Sequence, residues 1–215
     1  MKKQSPPNLT RQNLTRCEYL SRIATIKIFT PDECTDIINT SLNKWDEQES
    51  MILQSTNFVE DLDYRNATMF VPHEPPVEVL KKIEKSIMSF NFSEGGYGFE
   101  IVGMAEPPCM LRYLASDIHP KGKPGKYDWH MDIGSKPVSS IRKISFSIFL
   151  NAGEYEGGEL EFHTGRTTEP DQAQNSSNFI GSAFVFPSYL MHRVLEVTKG
   201  IRYTLVGWVH GNSFV

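Results

Sequence analysis

The chain has 215 residues, of which 39% are hydrophobic and 22% charged, and a formal net charge of −4. These values are typical of one globular domain and give no reason to expect nucleic acid as a partner. No apolar run is long enough to span a membrane, and the N-terminus lacks the apolar segment of a signal peptide. Three widely spaced cysteines favour reduced thiols in a cytoplasmic protein.

The hydrophobic pattern divides the chain into a polar start, a helical part and a β-rich part. Residues 1–18 are polar and lack periodicity, so we predict a loose tail there and a single domain over 19–215. Within this domain, residues 19–98 are predicted to be a helical support for a β-rich core over 99–210.

Two helix signals lie in the supporting part. The segment Thr30-Pro31-Asp32-Glu33 has an N-cap Thr, Pro at the first helical position and Glu at the third, which predicts a helix to Lys44 or Trp45. A second helix is predicted over 76–90. The predicted buried positions are Cys34, Ile37, Ile38 and Leu42 in the first helix and Val77, Leu80, Ile83, Ile87 and Met88 in the second, and strands are predicted at 23–29 and 63–71.

From Phe99 onward the pattern is one of short strands separated by turn residues, which indicates a sandwich or a barrel. The polar stretch 164–179 is long for a structureless connection, and such loops are usually mobile or functional. Together with the Gly/Pro-rich loop 116–126 it is a candidate to cover a substrate. The predicted strands are 99–104, 109–114, 127–132, 143–151, 158–163, 183–186, 189–197 and 201–209.

The tripeptide His130-Met131-Asp132 is the strongest candidate for a metal site. Side chains alternate along an extended strand, so His130 and Asp132 would share one face. With His192 as a third ligand they would form the two-His, one-carboxylate triad of non-haem Fe(II) oxygenases. The alternative is a hydrogen-bonded pair on an edge strand. The remaining candidates, His119, His163 and His210, have no ligand-like partner in sequence and are predicted to be surface or packing residues.

A predicted hairpin relates this site to Arg202. If Thr198-Lys199-Gly200 is a three-residue loop, then His192 lies opposite Val206, and Arg202 and Thr204 share its face. A buried arginine needs an anion, and its planar fork suits a carboxylate. Iron beside such an arginine indicates 2-oxoglutarate, which chelates the metal and extends a second carboxylate. The alternative is a salt bridge of Arg202 with Glu196 across the hairpin.

Short segments in consistent order over 99–209 resemble the prolyl 4-hydroxylase-type Fe(II)/2-oxoglutarate-dependent dioxygenases, in particular the bacterial PKHD-type hydroxylases. The resemblance implies a mostly β fold with flanking helices, namely a double-stranded β-helix (jelly roll) with helices packed on one sheet. The matching segments are Leu111–Tyr113, Tyr127–Asp132, Phe149–Asn151, Tyr155–Leu160, Gly181–Ser188 and His192–Trp208.

The resemblance also implies roles for individual residues. It assigns His130, Asp132 and His192 to iron and Arg202 to the distal carboxylate of 2-oxoglutarate. No further catalytic residue is predicted.

Additional cosubstrate contacts are expected around these ligands. Tyr113 matches a tyrosine that hydrogen-bonds the cosubstrate, although Tyr113 and Tyr127 could equally be ordinary core aromatics. Phe149 stands where some relatives carry a cosubstrate-binding tyrosine, so that contact is expected to be missing. Ser145 and Ser147 could line the pocket instead, and the cofactor-binding candidates are Arg202, Tyr113, Ser147 and Thr204.

The resemblance implies an enzyme that uses Fe(II), 2-oxoglutarate and O₂, with ascorbate as a reductant. It would hydroxylate a C–H bond of a prolyl residue in a peptide or protein and release succinate and CO₂. Hydroxylation of a free amino acid or other small molecule is an alternative. So are a non-catalytic jelly-roll binding protein and a Zn²⁺ hydrolase with the same ligands. Neither nucleic acid nor a membrane is a predicted partner.

Overall fold

The computed structural model describes residues 21–49, 52–54, 57–164, 170–173 and 176–212. The tail predicted over 1–18 lies outside these residues. Within them the α-helices are α1 (Pro31–Lys44), α2 (Val77–Phe92) and α3 (Pro137–Ser140), with a 3-10 turn at Ser177–Phe179. The strands are β1 (Ala24–Lys27), β2 (Asp46–Glu49), β3 (Ile52–Gln54), β4 (Asn57–Val59), β5 (Arg65–Asn66), β6 (Thr68–Val71), β7 (Ile101–Gly103), β8 (Cys109–Leu114), β9 (Lys126–His130), β10 (Arg142–Phe149), β11 (Glu156–Gly157), β12 (Leu160–His163), β13 (Asp171–Ala173), β14 (Ser182–Pro187), β15 (Met191–Val194), β16 (Val197–Lys199) and β17 (Ile201–Gly211).

Helix α1 begins and ends where its sequence predicts. The Thr30 hydroxyl accepts from the backbone N–H of Glu33, and the Glu33 carboxylate accepts from the N–H of Thr30, which completes a capping box. Cys34 is buried as predicted. The prediction for Leu42 is wrong, since it is 38% exposed. The preceding residue, Ser41, is buried instead, and its hydroxyl donates to the carbonyl of Ile37.

The second helix starts one residue later than predicted and runs two residues further, to Phe92. Ile83 and Ile87 form its buried face, as predicted. The prediction for Val77 is wrong, since it is 54% exposed, whereas Val79 two positions later packs against the core. The single strand predicted over 63–71 is wrong: β5 and β6 are separate strands in different sheets, and the chain crosses between the sheets at Ala67.

Two sheets form the framework. The larger has eight strands in the order β1-β14-β10-β17-β8-β6-β2, with β7 beside β17, and the smaller has five in the order β13-β12-β15-β9-β5. One hydrophobic core joins the larger sheet to α1 and α2, and a second fills the space between the two sheets. The predicted mostly β architecture with helices on one sheet is therefore confirmed. Two further pairs, β11-β16 and β3-β4, complete the strands of the described residues.

The hairpin predicted around 198–200 is wrong. Strand β15 pairs with β12 and β9 in the smaller sheet, whereas β17 pairs with β10 and β8 in the larger one. The chain passes between the sheets at Gly200, whose φ of 76° is left-handed, as a hairpin loop would also require. His192 therefore lies opposite Arg202 across the sandwich, on facing sheets, and not beside it on one sheet.

The polar stretch 164–179 also differs from its prediction, because it contains β13, which pairs with β12 where no strand was expected. Among the described residues, no helix combines the length and apolarity that crossing a membrane would need.

Candidate active site

A cavity of about 240 Å³ lies between the two sheets. Residues from both inner faces line it, so the sandwich core leaves an opening where polar side chains meet. Those used below are Arg65, Tyr113, Tyr127, His130, Asp132, Arg142, Ser147, His192, Arg202, Thr204 and Trp208.

The three predicted metal ligands come together in this cavity. One donor atom each from His130, Asp132 and His192 lies within 4.8 Å of the others. His130 ends β9, and its Cα is paired with that of His192 on β15. The strand predicted to continue through Asp132 stops at His130, and Asp132 is held by its own N–H, which donates to the carbonyl of Ser188 at 3.0 Å.

The hydrogen bonds of the two imidazoles fix which nitrogen faces the site. Nδ1–H of His130 donates to the carbonyl of Asp128 at 2.7 Å, and Nδ1–H of His192 donates to that of Leu190 at 2.9 Å. In the neutral form of such a ring, the proton on Nδ1 leaves the Nε2 lone pair free, and Nε2 faces the Asp132 carboxylate at 3.9 Å from His130 and 3.6 Å from His192. Two lone pairs facing a carboxylate at these distances fit a cation between them, and they do not fit the hydrogen-bonded pair considered as an alternative.

Burial and electrostatics favour the metal-binding protonation states. Burial, and then the proximity of the His192 ring, lower the pKa of His130, so the His130 ring stays neutral at pH 7. Burial acts to raise the pKa of Asp132, but the proximity of His192 and His130, together with side-chain hydrogen bonding, holds that pKa below its ordinary value. A neutral imidazole and an ionised carboxylate are the forms that bind a divalent metal.

Arg202 supplies an unbalanced charge in the same cavity. Its side chain is 0% exposed, and Nε, Nη1 and Nη2 have no hydrogen-bond partner among the residues that the structure describes. The alternative salt bridge with Glu196 is wrong, because Glu196 pairs with Lys126 at 3.2 Å. A Cβ at Gly158 would lie 2.9 Å from Cδ of Arg202, so glycine is what allows the chain to approach this arginine. A buried guanidinium without an anion has the donor geometry for a carboxylate ligand.

The other predicted cosubstrate residues also lie in this region. The rings of Tyr113 and Phe149 each lie 5.1 Å from the guanidinium carbon of Arg202, and Phe149 offers no hydroxyl. Thr204 donates to the carbonyl of Ile148 and accepts from the Ser147 hydroxyl at 2.9 Å, so neither hydroxyl has a proton left for a ligand in this conformation.

The two remaining candidates for the pocket, Tyr127 and Ser145, contact other groups of the protein. The ring of Tyr127 is stacked on that of His130 with centroids 3.5 Å apart. Burial raises the pKa of Tyr127 to about 12. Ser145 does not line the cavity and is hydrogen bonded to Ser188.

The sequence predicted no role for several residues that lie at the site. Hydrogen bonding from the Trp208 side chain helps to lower the pKa of Asp132, and Trp208 lies on the even-numbered, cavity-facing side of β17 that also holds Arg202. Arg142 donates to the backbone carbonyl of Asp132 at 3.0 Å and stacks over Trp208 at 3.5 Å. Glu106 neutralises Arg142 through two hydrogen bonds, of 2.7 and 2.6 Å.

Of the histidines predicted not to bind metal, His210 is fully buried and packs against this group through Glu106. His163 is exposed, and Nδ1 of His119 accepts from the backbone N–H of Lys121. None of the three belongs to the metal-binding cluster.

Two facing sheets that enclose two histidines, a carboxylate and an unpaired arginine define the architecture and donor set of an Fe(II)- and 2-oxoglutarate-binding oxygenase. The sequence model of the 2OG-Fe(II) oxygenase superfamily matches residues 111–210. Residues 111–210 therefore carry the sequence pattern of that superfamily.

Comparison with curated relatives gives the same class. The chain is 34% identical over 103 residues to a PKHD-type hydroxylase of Hyphomonas neptunium, covering 46% of this chain and 44% of that one. It is 34% identical over 111 residues to a PKHD-type hydroxylase of Synechococcus sp. (strain CC9311), covering 51% and 46%. The matched region thus spans less than half the length of these relatives.

Solved structures share the fold over most of the chain. A Pseudomonas putida prolyl-4-hydroxylase has a TM-score of 0.60 and 14% identity, with coverage of 89% of this chain and 93% of that one. A prolyl hydroxylase from Trichoplax adhaerens, in complex with a hypoxia inducible factor oxygen degradation domain peptide fragment, has a TM-score of 0.65, 15% identity and coverage of 90% and 85%. The predicted jelly roll is confirmed.

Proposed function

We propose that the protein is an Fe(II)- and 2-oxoglutarate-dependent dioxygenase that hydroxylates a C–H bond. One observation carries the proposal: a three-ligand cluster with its donor atoms within 4.8 Å shares a cavity with a fully buried arginine that has no anion. The cluster alone would also suit a Zn²⁺ hydrolase, but that reading gives Arg202 no partner. A metal-chelating keto acid with a second carboxylate accounts for both features.

Some residues of the site would bind iron and 2-oxoglutarate, and others would orient the iron ligand Asp132. His130, Asp132 and His192 would hold Fe(II), and Arg202 would receive the distal carboxylate of 2-oxoglutarate, with Tyr113 beside it. Together iron and 2-oxoglutarate supply O₂ activation, coupled to oxidative decarboxylation to succinate and CO₂, with ascorbate as the proposed reductant. Arg142 would hold Asp132 at its backbone carbonyl, and Trp208 lies beside it in the cavity wall.

A prolyl residue in a peptide or protein is the proposed substrate. PKHD-type relatives and the peptide-bound Trichoplax adhaerens structure support this choice. A free amino acid or other small molecule would use the same cavity and the same chemistry, and it is the alternative that the experiment must separate.

Succinate release from anaerobically reconstituted protein tests the proposal. We expect succinate to form after addition of O₂ only when Fe(II) and 2-oxoglutarate are both present, and a substrate to stimulate it. Proline-rich peptides and free amino acids are screened in parallel, and mass spectrometry locates the added oxygen. Absence of iron-dependent 2-oxoglutarate binding, or activity that Zn²⁺ supports equally well, would contradict it.

The loop 116–126 is a proposed substrate cover, although none of its residues lines the cavity. Buried Asn66 fastens it, because its side-chain amide donates to the carbonyls of Lys123 and Pro124 at 2.9 and 3.0 Å. Asn66→Ala removes both bonds, at a cost of about 0.5–1.5 kcal/mol for each hydrogen bond lost. We expect faster hydrogen exchange in this loop in the variant.

The same exchange measurement addresses closure. In wild-type protein, iron, 2-oxoglutarate and a proline-rich peptide together should increase protection of 116–126 and of the described parts of 164–179. If neither segment gains protection while a free amino acid is hydroxylated efficiently, the peptide assignment is wrong and the small-molecule alternative replaces it.

A further inference from the structure

Arg65 is a second arginine in the cavity wall whose charge the structure leaves unbalanced. It begins β5 at the edge of the smaller sheet, paired in register with Tyr127 on β9. Its guanidinium carbon lies 4.5 Å from the centroid of the Tyr127 ring, which in turn stacks on His130. Its Nε is buried and has no hydrogen-bond partner. One aromatic ring therefore separates this cation from a proposed iron ligand.

No carboxylate of the described residues forms a salt bridge with Arg65, and the acidic groups near it in sequence are engaged elsewhere. Asp63 pairs with Lys123 at 2.6 Å, Glu60 pairs with Lys121, and the Asp61 carboxylate accepts from the backbone N–H groups of Asp63 and Tyr64. The third arginine of the cavity wall, Arg142, differs in this respect because Glu106 neutralises it. Arg65 is thus held in the cavity wall by stacking, with its charge directed at no protein group.

The charges of the proposed cofactors do not account for Arg65 either. Fe(II) and Arg202 together carry three positive charges, and these are matched by the dianion of 2-oxoglutarate and by Asp132. With iron and cosubstrate in place, the centre is neutral without Arg65. A further cation in a largely buried cavity attracts a further anion, since charges there are poorly screened.

We propose that Arg65 binds a carboxylate of the substrate, so that the enzyme selects molecules with a carboxylate close to the carbon that is hydroxylated. The carboxylate is either an acidic side chain of a peptide or the α-carboxylate of a free amino acid. The contact with the Tyr127 ring holds the guanidinium in the cavity wall, and the planar fork of an arginine suits paired hydrogen bonds to both carboxylate oxygens. This inference rests on the proposed function and narrows its substrate class.

Acid and amide probes that differ in one group test the inference. The protein is loaded with 2-oxoglutarate and Mn²⁺, which suits the same ligand types without turnover. Calorimetric titration then compares a proline-rich peptide with Asp beside proline and its Asn counterpart, and L-proline and L-prolinamide. The two pairs separate a peptide carboxylate from a free one.

The variants are Arg65→Gln, which removes the charge, and Arg65→Lys, which keeps it. Arg112→Gln is the matched control. Arg112 also has a buried Nε without a partner and lies 5.1 Å over an aromatic ring, that of Phe70, but it pairs with Glu47 and lies outside the cavity.

We expect wild-type protein to bind the acid of at least one pair about tenfold or more tightly than the amide, as a charge-assisted bond allows. Arg65→Gln should lose this preference, Arg65→Lys should keep part of it, and Arg112→Gln should keep it fully. Equal binding of acids and amides, binding of no acid, or a preference that survives in Arg65→Gln would overturn the inference.

A separate titration of 2-oxoglutarate distinguishes this failure from failure of the proposed function. If Mn²⁺-loaded wild-type protein does not bind 2-oxoglutarate, the proposed function itself fails. If Arg65→Gln weakens 2-oxoglutarate binding as much as Arg202→Gln does, Arg65 is a cosubstrate residue, and its assignment to substrate is wrong.

Discussion

Asp132→Ala is expected to abolish stoichiometric Fe(II) binding and turnover. The carboxylate is the only anionic member of the three-ligand cluster, and its removal leaves two neutral imidazoles. Loss of an outer partner of a metal ligand alone costs about 10- to 100-fold in affinity, so loss of the ligand itself should exceed about 100-fold. The fold should persist, because Asp132 lies beyond the end of β9 and its backbone bond to Ser188 remains.

Anaerobic Fe(II) titration with circular dichroism as a check on folding measures this effect. Asp128→Ala is the matched control, since Asp128 lies on β9 but its carboxylate does not line the cavity and accepts only the N–H of Trp129. Its carbonyl, which orients His130, is unchanged in the variant. Unaltered iron affinity in Asp132→Ala would place the metal elsewhere.

The elements that sequence reasoning predicted well are those whose signals are local. The cap at Thr30 and the proline after it define the start of α1 within four residues, and β8 has the predicted bounds because its strand pattern is continuous from Cys109 to Leu114. The grouping of His130 with Asp132 is likewise short-range. It survives although the strand ends between them, because the backbone of Asp132 is anchored by Ser188.

The relation between His192 and Arg202 shows where local reasoning fails. A left-handed glycine at Gly200 suits a hairpin loop and a crossing between sheets equally, so turn chemistry could not decide which strand β17 would join. The conclusion that both residues face one site was right for a different reason. Facing sheets bring their inner faces to the same cavity, and alternation along each strand keeps His192 and Arg202 inward.

Arg65 had no signal at all in the sequence. Because one continuous strand was predicted over 63–71, the crossing between the sheets at Ala67 was not expected. The pairing of β5 with β9 joins segments about sixty residues apart in sequence. Non-local pairing of a two-residue strand leaves no periodicity to read. Trp208 could have been found, since the alternation that selects Arg202 on β17 selects it as well.

Replacement of Arg202 should change cosubstrate binding and stability in opposite directions. In Arg202→Met, 2-oxoglutarate affinity should fall about tenfold or more, because the distal carboxylate loses a charge-assisted partner worth roughly 1.5–3 kcal/mol. Iron affinity should be retained. The ligand-free protein should become more stable, since an apolar side chain of similar length replaces a buried guanidinium that has no anion.

Thermal unfolding with and without Mn²⁺ and 2-oxoglutarate separates these effects. Wild-type protein should gain stability when 2-oxoglutarate is added to the Mn²⁺-loaded form, because a ligand that binds only the folded state raises the melting temperature. Arg202→Met should start from a higher melting temperature and gain little. A lower starting melting temperature together with an undiminished gain would mean that Arg202 supports the sandwich and that another residue receives the distal carboxylate. Arg202→Lys adds a second criterion: it keeps the charge but loses the planar fork, so we expect a 2-oxoglutarate affinity between those of wild type and Arg202→Met.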